Sequence, residues 1–392
     1  MPEPIASNAA RPAAAIAGCG ALTAVGHGIA ALRTALRSNA SGLKKSARFD
    51  GPRYQSAVVG TALPAAENSD DPAFQLATDA LDQAHAEAAN CLSSIPASRI
   101  GLVLSTTKAN IEALERLSDG RPCSETARRH LRGELLAADL AAAHGATGPV
   151  QCISVACASG LVALQQGAKL IQRGAADAVF VVGVDHLSAF VVAGFSSLKA
   201  LDPVGCRPFD RDRAGLSPGE AGAAIILVRG DFASANAVTI RGLSTSNDAN
   251  HLTGPSRDGS GLALAIRTAL KSAGLEPSDI DYLNAHGTGT PYNDTMESMA
   301  FNTIFEEACP PTSGSKGMLG HTLGAAGVIE TIICVLALQE HILPGTPRLT
   351  LRDEAAPITL LRQPRPVPRL DNVLKVNTGF GGINSALILG HG

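Results

Sequence analysis

Ser154-Val155-Ala156-Cys157-Ala158-Ser159-Gly160 is the stretch whose reading decides the fold. An apolar, β-branched run at residues 150–155 leads into it, and Leu161-Val162-Ala163-Leu164-Gln165-Gln166 follows with helical spacing. A cysteine therefore sits on a strand-to-helix elbow, among neighbours small enough to allow a sharp turn and the approach of a thioester. A helix N-terminus stabilises a thiolate and can lower a cysteine pKa below its free value of about 8.5. The functional reading of Cys157 is a nucleophile, and the competing one is a small buried apolar residue.

Two downstream segments weigh on that choice. In Asn284-Ala285-His286-Gly287-Thr288-Gly289-Thr290-Pro291 an apolar strand runs out into glycine and threonine, which places His286 on a strand-end loop. Gly314-Ser315-Lys316-Gly317-Met318-Leu319-Gly320-His321 is followed by Gly324-Ala325-Ala326-Gly327 and an apolar helix at 328–338, so His321 also precedes a helix. One loop histidine is usually structural. Two at glycine-rich junctions, with a cysteine at a third, favour a site.

Outward from these segments, strand-like runs recur at 14–19, 100–105, 178–184, 223–228, 238–243, 280–285, 373–378 and 386–389. Helical periodicity fills residues 72–89, 134–143, 161–172, 261–273, 294–307 and 324–339. The alternation predicts an α/β architecture with sheets covered by helices. Residues 203–219, rich in Pro, Gly and charge, read as a long loop between buried strands. Residues 344–368 read as an extended edge connection.

The 392 residues, 45% of them hydrophobic, can bury a large core in two domains or one duplicated one. Forty glycines and heavy alanine use point to close helix–sheet packing. With 32 basic against 35 acidic residues, nothing suggests nucleic acid. The eight cysteines form no CxxC pair and read as free thiols in a reducing compartment, with Cys157 singled out by its context. Residues 1–11 carry no signal-peptide pattern, and no run is read as reaching the roughly 18 apolar residues of a membrane span. A cytoplasmic protein is expected.

Other motifs are excluded by spacing. Gly379-Phe380-Gly381-Gly382-Ile383-Asn384 lacks the GxGxxG pattern and precedes a strand-like run, unlike a phosphate cradle. His286 and His321 lack a third ligand at metal spacing, so no metal is expected. A cysteine protease would need neither Lys316 nor a second histidine.

Taken together, these residues resemble the condensing enzymes of the thiolase superfamily, specifically the elongating β-ketoacyl-[acyl carrier protein] synthases. The resemblance runs from Gly18-Cys19-Gly20 through Ala156-Cys157-Ala158-Ser159-Gly160 and Arg207-Pro208-Phe209-Asp210, then on through the two histidine segments to Gly379-Phe380-Gly381-Gly382. It implies a thiolase-like five-layered α-β-α-β-α duplication with halves at 1–240 and 241–392, although the halves show no obvious sequence repeat. It implies decarboxylative condensation of an acyl group on Cys157 with malonyl-[acyl carrier protein], without a cofactor. Carried over by position, the amides of Cys157 and Phe380 form an oxyanion hole in a gate block with Gly381 and Gly382. His286 and His321 hydrogen-bond the thioester carbonyl during decarboxylation, Lys316 and Glu297 support them, and Asp294 lies nearby. Partners implied are acyl carrier protein and a second subunit, in a homodimer or in a heterodimer with a chain-length partner, with residues 178–184 and 190–195 contributing to that interface.

Carrier docking candidates are Arg207 and the cluster Arg121, Arg128, Arg129, His130 and Arg132, with Lys44 and Lys45; such a cluster is also what a solvated helix face looks like. Two departures bear on substrate. Thr378 stands where relatives carry phenylalanine, and Lys108 interrupts what is a glycine-rich apolar tunnel wall in relatives. Lys108 either pairs with a carboxylate and closes the tunnel, faces a wetter channel such as an aryl polyene or polyketide chain needs, or points to solvent. A non-catalytic chain-length subunit is the alternative, against which Cys157 and both histidines argue. A coenzyme A-dependent acyltransferase is another; thiolases carry a second cysteine in the final glycine-rich block, and this chain has none there.

Overall fold

The computed structural model describes residues 13–62, 69–354, 356 and 358–391, so the leader reading of residues 1–11 lies outside it. Five strands form the first half: β1 Ala14–Thr23, β2 Ile100–Ser105, β3 Val150–Ile153, β4 Ala178–Asp185 and β5 Ala221–Arg229. Five more form the second: β6 Val238–Asn247, β7 Tyr282–Ala285, β8 Thr312–Gly314, β9 Asn372–Gly379 and β10 Ile383–His391. The main helices are α1 Pro72–Leu92, α2 Gly133–Ala143, α3 Ser159–Gln172, α4 Ser260–Ala273, α5 Pro291–Phe305 and α6 Ala326–Glu340.

The strand orders are β3-β2-β4-β5-β1 and β8-β7-β9-β10-β6, joined through two β1–β6 pairs, Ala14 with Ile240 and Ala15 with Thr239. In each half the third strand of the chain is at the edge, its neighbour and the next pair in parallel, and the remaining two pairings are antiparallel. The two halves therefore share one topology. This duplication is legible in the hydrogen-bond ladder even though the side chains have diverged, because topology depends on the apolar period and not on residue identity.

That period also builds the layers. On β4, Val179 and Val181 join the central apolar cluster, whereas Phe180, Val182 and Val184 join an outer one with α1 and α2. On the other side, Leu374 and Val376 of β9 pack in a third cluster with α4 and α5, while Val373 faces the centre. α3 and α6 lie between the two halves of the sheet, each touching strands of both. The order is helix, sheet, helix, sheet, helix. Helices at Gly28–Ser38, Ile111–Ser118 and Ala189–Ser197 were not among those read from the sequence.

Two expectations are corrected here. β4 is paired on both sides and wholly buried, so residues 178–184 cannot form a subunit interface; the edge strands are β3 and β8, and of the two β8 is buried while β3 is partly exposed. The window Leu323–Glu340 does reach 18 residues at a mean hydropathy of 1.6, longer than the sequence reading allowed, but 89% of it is buried inside the protein. It is the central core helix.

Candidate active site

The elbow between β3 and α3 is held by its own small residues. Ala156 adopts a left-handed φ of 51°, an arrangement that costs an L-residue of order 1 kcal/mol and that surrounding contacts must sustain. They do: Val155 N–H donates to Ser159 Oγ at 2.8 Å and the Ser159 hydroxyl donates to Ala156 O at 2.6 Å. At the second residue of each central helix, Gly160 meets Gly327 so closely that a Cβ at position 160 would lie 2.7 Å from Gly327 Cα. Absence of side chains at this crossing lets the two helix starts converge. Cys157 leads into one of them, and the segment carrying Lys316 and His321 leads into the other.

Cys157 Sγ lies 3.0 Å from His321 Nε2, and the His286 and His321 rings meet edge to face at 5.2 Å between centroids. They line a cavity of about 420 Å³ together with Phe195, Thr378, Gly379 and Phe380. Phe380 is 40% exposed and its ring stands 6.3 Å from that of Phe195, as a gate side chain would. Gly379 packs on the elbow: a Cβ there would stand 3.2 Å from Cys157 N and Ala158 N. Gly381 and Gly382, both at positive φ, form the turn that returns β9 into β10.

Hydrogen bonds fix the tautomer of each histidine. Lys316 Nζ (3.1 Å) and Asn377 Nδ2 (2.8 Å) both approach His286 Nδ1, and neither can accept. Leu323 N–H donates to His321 Nδ1 at 3.4 Å. Nδ1 is the acceptor in both rings, so each Nε2 carries the hydrogen. The His321 Nε2–H then points at Cys157 Sγ. Burial, reinforced by Lys316, pushes His321 down to about 3, and burial, Lys316 and His321 hold His286 well below the usual histidine range. Both are neutral hydrogen-bond donors at physiological pH.

Cys157, His286 and His321 place their ligand atoms within 4.8 Å of one another, as a metal centre might require. The tautomers oppose that: a metal needs a lone pair at Nε2, where these rings carry hydrogen.

The cysteine departs from expectation. Burial raises the Cys157 thiol to about 11, against the lowering influence of the Lys316 charge and the Phe380 N–H. Desolvation of a thiolate here outweighs the helix start, and the resting group is a thiol.

Geometry gives each carboxylate its partner. Glu297 does not reach Lys316; it accepts from the His286 and Gly287 backbone N–H groups, each at 2.7 Å, and thereby holds the histidine loop. Burial, then the neighbouring Asp294, raises Glu297 to about 7. Asp294, fully buried, accepts from Phe209 N–H at 2.8 Å and Gly289 N–H at 3.2 Å. The carboxylate that meets Lys316 is Glu330 of α6, at 2.6 Å. Glu330 went unnoticed in the sequence, as did Lys375 and Asn377 of β9, which also contact it. The available signal was a lone charge inside an apolar element, in helix 328–338 and in strand 373–376.

Lys108 does not point to solvent. Its side chain is 7% exposed and its Nζ lies 2.9 Å from Asp185 Oδ1, though at an angle that makes no hydrogen bond. It lies outside the lining of the cavity. Thr378 donates its hydroxyl to Asn293 Oδ1 at 2.8 Å. The docking candidates divide. Arg207 is partly buried and donates to Asp202 and to the Asp212 carbonyl, beside the 286–291 loop. Arg121, Arg129 and Arg132 pair with Glu112, Asp139 and Glu134, and His130 is buried between Asp71 and Asp139. Lys45 pairs with Asp50, while Lys44 and Arg128 are exposed.

Residues 13–233 match the family described as "Beta-ketoacyl synthase, N-terminal domain", and residues 237–350 match its C-terminal counterpart. The chain is 32% identical over 413 residues to the tetracenomycin polyketide synthase ketoacyl synthase alpha subunit of Streptomyces glaucescens, covering 95% of this chain and 96% of that one. Among solved structures it resembles a chain from a type II PKS acyl-carrier protein in complex with its ketosynthase bound to the hexaketide (TM-score 0.89, 26% identity, 97% and 99% covered). It also resembles a chain from a ketosynthase in complex with its chain length factor from Xenorhabdus doucetiae (TM-score 0.84, 29% identity, 99% and 100% covered).

Proposed function

The chain belongs to the β-ketoacyl synthase family, and on that premise we propose that Cys157 carries the acyl group while His286 and His321 drive decarboxylation of a malonyl thioester on acyl carrier protein. The acyl group reaches Cys157 by transthioesterification: the sulfur attacks the donor thioester carbon and the carrier leaves as a thiol, taking up the cysteine's proton. The amides of Cys157 and Phe380 are the donors for the tetrahedral oxygen of that step. Malonyl thioester then loses carbon dioxide; the electron pair of the broken C–C bond becomes an enolate whose oxygen receives the two Nε2–H donors. The enolate carbon attacks the acyl carbon, the C–S bond to Cys157 breaks, and 3-oxoacyl carrier protein leaves with one new C–C bond. The expelled thiolate takes a proton to regain the resting thiol.

The observation that carries this reading is the pair of neutral Nε2–H groups converging beside the Cys157 sulfur, with every Nδ1 occupied by a donor. Fixed donors and no strong base are what a decarboxylation oxyanion needs, and holding the electrophile covalently next to the enolate supplies proximity. A complete cysteine–histidine–histidine set favours a catalytic subunit over a chain-length partner. The polyketide relatives favour elongation of polyketide-type chains. No metal or other cofactor enters the mechanism.

The second subunit would join at β3, the short edge strand whose Val150 is 39% exposed, together with Phe190 at 64%. A copy of this chain or a chain-length partner would extend the sheet there. Eight free cysteines fit the reducing cytoplasm, the location we propose.

Intact-mass analysis of purified protein after incubation with a panel of acyl carrier proteins, followed by malonyl carrier protein, tests the reading. One acyl adduct is expected, absent from folded Cys157→Ala and discharged by malonyl carrier protein into a product two carbons longer. An adduct on Cys157→Ala would refute the assignment.

A further inference from the structure

The face of β9 that looks at the central helices should be apolar, as Val373 is, yet the next residues on that face are Lys375 and Asn377. Lys375 is wholly buried. Its Nζ lies 2.8 Å from Glu330 Oε2 and donates to the carbonyls of Val376 at 2.7 Å and Ala285 at 3.1 Å. Lys316 holds the other oxygen, Glu330 Oε1. Asn377 donates to Glu330 Oε2 at 2.9 Å and approaches His286 Nδ1 at 2.8 Å. One carboxylate thus bridges two buried ammonium groups, directly behind His286, so the two lysines and Glu330 sum to one positive charge, with Glu297, which holds the His286 N–H, within electrostatic reach of Lys316. A lysine–glutamate pair alone would be neutral.

We propose, building on the ketosynthase reading, that Lys375 is a second positioning lysine of the decarboxylation site. By sharing Glu330 with Lys316 it leaves a net positive charge that keeps both histidines neutral and their Nε2–H donors on the developing enolate oxygen. Lys375 touches no reacting atom; it acts through Glu330 and Asn377 on His286. The groups facing it support this. Glu330 and Cys334 come from α6, Lys316 from the segment before α6, and Asn284 and His286 from β7 and its loop; of these only Glu330 offers a full opposing charge, which works against the burial that lowers Lys375 from its usual value. Burial works against the Glu330 carboxylate, yet the two lysines hold it down at about 2, and Lys375 is among the charges that depress both histidines. The charge also has a direction: it stabilises negative charge where the enolate forms and disfavours a proton on either imidazole.

The test uses Lys375→Gln, which retains a donor for Glu330 but removes the charge, and Lys375→Met as a second variant should the first fail to fold. Malonyl carrier protein decarboxylation and Cys157 acylation are measured separately across pH 2.5–9. Removing the charge makes the histidines easier to protonate, so the acid limb of decarboxylation should move up by about one pH unit. At neutral pH the turnover should fall about 10- to 100-fold with little change in KM, less than loss of a direct oxyanion donor. Cys157 acylation should hardly change. Combining Lys375→Gln with Glu330→Gln restores one net positive charge and should return the acid limb toward wild type. A purely structural Lys375 would lower both activities in parallel and leave the limb where it was, and that result overturns the proposal. Wild-type protein unable to decarboxylate malonyl carrier protein would overturn the ketosynthase reading itself. Active wild type with an unshifted variant profile overturns only the role of Lys375.

Discussion

A buried thiol facing an N–H donor must lose its proton before it can attack, so the pH dependence of loading reports on Cys157. With the thiol raised to about 11, its thiolate fraction rises steadily through the neutral range. Alkylation of Cys157 by iodoacetamide should therefore accelerate about tenfold per pH unit between pH 7 and 9, and a plateau by pH 7, read by intact mass, would contradict the assignment. The histidines should behave differently. His286→Ala or His321→Ala should slow condensation by about 10²–10³-fold while leaving some acyl loading, because the lost donors act on the enolate oxygen. Loss of loading with decarboxylation intact would reverse the roles. Glu330 is held below its unfolded value despite burial, so its contribution to stability is complete above the unfolded pKa and lost as pH falls through about 2. Glu330→Gln leaves two buried ammonium groups without a carboxylate and should cost about 3–5 kcal/mol, measured by denaturant unfolding at pH 7. Lys108→Ile is milder, since Asp185 keeps donors from Thr106, Thr107 and Gly324. If the Lys108–Asp185 pair restricts the acyl chain, Lys108→Ile should improve use of long saturated acyl carriers in a competition assay. A wild-type preference for such chains, unaltered in the variant, would remove Lys108 from substrate selection.

Two elements bring the site together by crossing at glycine. A Cβ at Gly327 would stand 2.3 Å from Leu161 N, a backbone atom that cannot swing aside. Gly327→Ala should push α3 and α6 apart, lowering stability by about 1–3 kcal/mol and separating Cys157 from His321. The expected readout is a lower thermal midpoint with a larger proportional loss of condensation than of loading; unchanged stability would show that the crossing can relax. The helices themselves are legible in the sequence because apolar residues recur at helical spacing over 161–172 and dominate 328–338. Their contact was not, because the steric consequence of a missing Cβ depends on what stands opposite.

At the scale of the whole molecule, β3 leaves one edge of the sheet open, and Phe190, Leu114 and Leu117 are exposed apolar side chains. Cys152→Pro removes an N–H from the open edge, whereas the Gln151 N–H faces β2, and should weaken association there, shifting a dimer toward monomer in sedimentation at micromolar concentration. A wild-type protein that is an active monomer would contradict the pairing. The sequence by itself determined the α/β class, the cysteine elbow, both histidine loops and Lys316, since each rests on apolar period or on glycine-rich junctions that are local along the chain. It passed over Glu330, Lys375 and Asn377, and chose a buried strand for the interface. Glu330 lies 14 residues from Lys316 on the next helix, and Lys375 comes from a strand 90 residues beyond Ala285, whose carbonyl it reaches. Only the tertiary structure could decide those, because charge pairing and edge exposure are set by which elements become neighbours in space.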